Sequence, residues 1–137
     1  MTVYLVDKSA WEWGRRDPAA NADFAQIVAD RDTILAACHL TTLELAYSAR
    51  NAAQHATVIA QQRKNLLWLP VTEVVMDRTL DIVALLAKRG QHRTPVPDVI
   101  IAATAEAYGA TMLHVDSDYE LIAAVTGQPV RRLATNT

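Results

Sequence analysis

What most constrains the fold is an alternation along the chain. Short apolar runs recur between longer segments whose apolar residues return every three or four positions. Short continuous apolar runs suit strands buried on both faces. Parallel strands of that kind need crossovers long enough to hold a helix. The runs VYLV (3–6), TILAA (33–37), LLWLPV (66–71), TMLHV (111–115) and PVRRL (129–133) are the expected strands. ADFAQIVAD, TLELAYSARNAAQHATVIAQQRK, TEVVMDRTLDIVALLAKR and PDVIIAATAEAYG carry helical periodicity, the second with an expected break near Arg50 and Asn51. The fold class is therefore α/β, with a mostly parallel sheet of approximately five strands.

A chain of 137 residues, 51% hydrophobic and 20% charged, suits one domain spanning 1–137 that needs no disulfide or structural metal to hold its core. Cys38 is the only cysteine, so no disulfide forms within the chain, and its place in ILAACHL makes it a buried, inert thiol. The N-terminus lacks a basic segment leading into a long apolar one, and no run reaches the roughly 18 apolar residues of a membrane span. A cytoplasmic protein without membrane contact is expected. The formal charge of −2 gives no strong attraction to nucleic acid, but two bound divalent cations would turn it into +2, reversing the sign that a phosphate meets.

The ends of the strands carry the chemistry. VYLV stops at Asp7 and TMLHV at Asp116, and both are followed by helix-start signals. Ser or Thr followed three residues later by Glu, the spacing of a capping box, occurs at Ser9 and Glu12, Thr41 and Glu44, and Ser117 and Glu120. Gly90 and Gly109 stand where helices end, and Pro95 and Pro97 precede another start. In an open α/β sheet the ligand crevice lies at the carboxyl ends of the strands, where these turns converge.

Four acids come forward, Asp7, Glu44, Asp98 and Asp116, with Asp118 as an accessory. Taken singly, Asp98 reads as a helix N-cap and Glu44 as the third residue of a capping box begun by Thr41. Asp7 and Asp116 are costly at the end of an apolar strand unless paired, hydrogen-bonded or bound to a cation. Taken together, the four would crowd one sheet edge, repel one another, and be relieved by Mg²⁺ or Mn²⁺, which prefer oxygen ligands. Hard cations held by carboxylates activate water for phosphodiester hydrolysis without a catalytic histidine. His39, His55, His92 and His114 show no zinc-ligand spacing, and His114 reads as a packed or hydrogen-bonded strand residue. A receiver-type signalling domain would need a paired acid motif after the first strand and an acceptor Asp after the third, where LLWLPVTE offers none. A haloacid-dehalogenase phosphatase would need DxDxT where this chain has DKSAW.

The segments LVDKSAW, TTLELAYSAR, VPDVIIAATA and LHVDSDYELIA, in this order, resemble the PIN-domain ribonucleases over essentially the whole chain. In length and layout they resemble the VapC toxins of type II toxin–antitoxin systems. The resemblance implies a PIN-like three-layer α/β/α domain and metal-dependent endoribonuclease cleavage of structured RNA such as tRNA or rRNA. Asp7, Glu44, Asp98 and Asp116 would be its catalytic metal-binding acids, Asp118 would assist, and Ser9 would match the hydroxyl residue two positions beyond the first aspartate. It implies a cognate VapB-type antitoxin that occludes the acidic pocket, and a homodimer. The chain departs from the common pattern at His114, where many members have Thr, and at Tyr119, where many have Phe. A catalytically silent PIN-like module that only binds RNA or protein is the alternative.

For the RNA, Arg15 and Arg16 follow the first acid and Arg93 leads into the Asp98 segment, so these are the expected phosphate contacts. Trp11 and Trp13, two apart on a helix, face different directions; one is expected in the core and the other at an interface.

Overall fold

The computed structural model describes residues 1–136. Along the chain its elements are β1 (Thr2–Val6), α1 (Lys8–Arg16), α2 (Pro18–Ala29), β2 (Thr33–Ala37), α3 (His39–Tyr47), α4 (Ala52–Asn65), β3 (Leu67–Trp68), α5 (Glu73–Ala87), α6 (Val96–Ala107), β4 (Thr111–His114), α7 (Ser117–Thr126) and β5 (Val130–Arg132). The strands form one sheet in the order β3-β2-β1-β4-β5, and every neighbouring pair is parallel.

That order places the site. The chain steps outward from β1 through β2 to β3, then returns to lay β4 on the other side of β1. The reversal falls between β1 and β4, and an open α/β sheet leaves a crevice beyond the carboxyl ends of its strands at such a point. Asp7 directly follows β1 and Asp116 lies two residues past β4. The Asp7 N–H donates to the Leu113 carbonyl at 3.0 Å, holding the two strand ends in register.

Alternating strand side chains divide the core. Leu5, Ala36 and Met112 pack with Ile82 and Leu86 of α5, Ile101 of α6 and Ile122 of α7. Val6 and Leu113 face the other way, onto Ala10 of α1 and Ala20 and Ile27 of α2. The result is three layers. α6 is buried continuously from Asp98 to Ala105, as an all-round apolar stretch such as VIIAATA demands of a helix enclosed by its neighbours.

Three expectations change. Of residues 66–71, only Leu67–Trp68 form the strand. Pro70 has no N–H for a ladder, and β3 is an edge strand, where proline is tolerated. Leu69 still donates to the Ala37 carbonyl at 2.9 Å. The last strand is likewise shorter than 129–133. The helix caps also lie earlier than the Ser and Thr positions suggest. Asp7 itself caps α1, accepting from the Ser9 N–H, and Asp116 caps α7, accepting from the Asp118 N–H. At α3 the cap is Cys38, whose N–H donates to Thr41 Oγ1 at 3.0 Å, so Thr41 is the third helical residue and Glu44 stands a turn beyond the box. Glu120 pairs with Arg132 on β5 instead of returning to the start of its helix. The break between α3 and α4 falls as expected, with Asn51 capping α4 through Gln54 N–H at 2.8 Å.

Candidate metal centre

Asp7 is only 4% exposed. Its Oδ2 accepts from the Ser9 N–H at 3.0 Å and from the Ser9 hydroxyl at 2.6 Å, and its Oδ1 accepts from the Tyr119 hydroxyl at 2.7 Å. Asp116 is half-buried; its Oδ1 accepts from the Asp118 N–H at 2.9 Å, and its own N–H donates to His114 Nδ1 at 3.1 Å. Both strand-end acids are thus fixed by the first turn of the following helix.

The other two acids are not caps. Asp98 is the third residue of α6, which is capped by Pro95 with no side-chain bond, yet only 8% of Asp98 is exposed. Glu44 points from the middle of α3 with no cap to serve. Two groups of oxygens result. Asp7, Glu44 and Asp98 each bring one carboxylate oxygen within 4.8 Å of the others, and so do Asp98, Asp116 and Asp118. Asp98 belongs to both.

Crowding shows in the protonation of these groups. Burial first, then the charges of Asp7 and Asp116, push Asp98 up to about 8. Asp98 and Asp118 share a hydrogen bond, and Asp118 is raised by burial and by Asp116. Glu44 is raised by burial and by Asp7, and the charge of Lys8 works against that shift. An acid cluster of this kind, all oxygen, partly dehydrated and short of compensating cations, is the donor set that Mg²⁺ or Mn²⁺ takes. The residues present fit such an ion.

His114 is fully buried and serves as a hydrogen-bond acceptor and ring-packing residue, as the sequence suggests. Arg93 is exposed in the loop that enters α6. Arg15 and Arg16 lie at the far end of α1, about 12 Å of helical rise from its start beside Asp7. Arg16 lies 4.8 Å from the centre of the Trp13 ring, while Arg15 lines a groove of about 430 Å³ between α1, α3 and α4. Neither tryptophan is wholly in the core or wholly exposed. Both are half-buried against the α1–α2 core, Trp11 on Phe24 with ring centres 5.1 Å apart. The sequence reading missed the Tyr119 contact with Asp7. The signal available was position: a residue three beyond the Asp116 cap turns inward on the first turn of α7.

Known proteins resemble this chain in sequence and in fold. The PIN domain family matches residues 4–125. Ribonuclease VapC21 of Mycobacterium tuberculosis is 38% identical over 130 residues, covering 94% of this chain and 92% of that protein. Ribonuclease VapC51 of the same organism is 42% identical over 96 residues, 69% of each chain. Among solved structures, VapBC-1 from nontypeable Haemophilus influenzae aligns over 96% of this chain and 98% of that one, with a TM-score of 0.77 at 16% identity, a likeness of fold. By its family match and by these relatives, the chain belongs to the PIN-domain family, among the VapC ribonucleases.

Proposed function

We propose that this protein is a Mg²⁺- or Mn²⁺-dependent endoribonuclease of the toxin kind, which hydrolyses phosphodiester bonds of structured RNA such as tRNA or rRNA and is neutralised by a VapB-type antitoxin. The observation that carries the reading is the pair of oxygen triads meeting at Asp98. Neither Asp98 nor Glu44 caps a helix, and the side-chain partner of Asp98 is another acid of the cluster, Asp118.

The bound ion would activate water and offset charge on the phosphate. Asp7, Glu44, Asp98 and Asp116 would hold it, with Asp118 assisting. Ser9 fixes the Asp7 carboxylate in one rotamer, through its N–H and its hydroxyl, and accepts the Val115 N–H at 2.9 Å, so the turn after β4 is tied to the same residue. Asp98 must release its proton before it can bind a cation, which couples loading to pH. Lys8 would supply positive charge near the acids, and Arg93, exposed in the loop that leads into α6, would offer a contact to the phosphate backbone.

Relatives of this fold are known as VapBC complexes, which supports an antitoxin partner here. The groove between α1, α3 and α4, lined by Trp11, Glu12, Arg15 and Gln61, would offer such a partner a place. Exposed Leu43 and Tyr47 on α3 and Val74 and Leu80 on α5 favour a homodimer, which light scattering at micromolar concentration checks.

The test is cleavage of end-labelled total tRNA and of rRNA in Mg²⁺ or Mn²⁺ and in EDTA. Discrete cuts that vanish in EDTA are expected. Folded protein, free of partner, that cuts neither RNA in either metal would favour the silent binding module, and cutting that survives EDTA would overturn the metal mechanism.

A further inference from the structure

A carboxylate has about four lone-pair positions. On Asp7 the Ser9 N–H and hydroxyl occupy both positions of Oδ2, and the Tyr119 hydroxyl occupies one of Oδ1. One position remains, on the same oxygen that Tyr119 holds. Tyr119 has little freedom to vary that contact. It is fully buried, and its ring packs on the equally buried His114, with centres 5.3 Å apart. His114 in turn accepts the Asp116 N–H. Tyr119 and His114 are therefore neighbours, one bonded to Asp7 and the other to the backbone of Asp116.

We propose that Tyr119 is a positioning residue for Asp7, its hydroxyl deciding which lone pair of the carboxylate is presented to the cation, with His114 packing the ring in place. The assignment rests on the metal-centre reading above. Partners of this kind behind a metal ligand change affinity by about 10- to 100-fold when removed.

The test is Mn²⁺ titration by electron paramagnetic resonance of wild type, Tyr119→Phe and Ile122→Val. Ile122 is buried one turn further along α7 and loosens the same core without touching Asp7. Mn²⁺ affinity is expected to fall about tenfold in Tyr119→Phe and to stay at the wild-type level in Ile122→Val, even though both melt earlier. Equal affinity in Tyr119→Phe and wild type, or an equal loss in Ile122→Val, overturns the assignment. Wild-type protein with ¹³Cζ-labelled tyrosine gives a second readout free of any folding defect. Mg²⁺ is expected to move the Tyr119 resonance, and a resonance that stays still at saturating Mg²⁺ overturns the proposal. RNA cleavage measured in parallel keeps the two readings separate: a Mn²⁺ difference without cleavage supports Tyr119 and removes the ribonuclease reading, whereas intact cleavage with no Mn²⁺ difference removes Tyr119 alone.

Discussion

Asp98 holds a proton that an ordinary carboxyl would have lost. Its native value of about 8 stands against roughly 3.9 for the unfolded chain. Between those values the native state binds a proton that the unfolded state does not. The contribution to stability is therefore complete below about pH 4 and is lost as pH rises through about 8. Glu44 and Asp118 shift in the same direction. In EDTA, the urea midpoint of the wild-type protein should fall between pH 5 and pH 8.5, and Asp98→Asn, which cannot ionise, should flatten that fall. A midpoint that climbs over this range would contradict the protonation assigned to the cluster. At this scale the sequence made the right acids visible, Asp7 and Asp116 because they end strands and Glu44 and Asp98 because they follow helix-start signals, but it inverted their structural roles. Asp98 and Glu44 read as caps and are not; Asp7 and Asp116 read as costly strand ends and are the caps. The Tyr119 bond to Asp7 spans 112 positions: its spacing from Asp116 turns Tyr119 inward, but the partner it meets depends on how β1 and α7 come together.

Among the elements, α7 is where capping and chemistry separate most cleanly. Asp116 caps it from an extended backbone and is also one of the clustered acids. Asn caps nearly as well as Asp, whereas Ala forfeits about 1 kcal/mol. In EDTA, Asp116→Asn should therefore melt close to wild type and Asp116→Ala about 1 kcal/mol lower, while both lose Mn²⁺ affinity. If Asn retains full affinity, Asp116 is a cap and no more. Strand and helix identities were legible from periodicity, and so was the break after α3, where Asn51 supplies a side-chain cap. The third strand was overread because apolar content continues through Leu69 and Val71 while backbone pairing stops at Pro70. Its side chains still serve the core, and only the ladder is short.

For the whole molecule, topology does the work that no single motif does. Reversing the strand order between β1 and β4 brings Asp7 and Asp116 to one crevice, α3 carries in Glu44, and the buried helix α6 delivers Asp98 to both groups of acids. The sheet and its layers follow from the alternation of short and long apolar segments. The order of the strands does not, since a parallel pattern fits several windings and only the assembled core selects one. No helix among the described residues is long and apolar enough to cross a membrane. The most direct measurement is the rate of RNA cleavage by Asp98→Asn relative to wild type at saturating Mg²⁺, with circular dichroism confirming that both are folded. The shared position of Asp98 predicts a rate below about one hundredth of wild type with the fold intact; a folded variant that keeps half the wild-type rate or more would contradict a metal centre built around this residue.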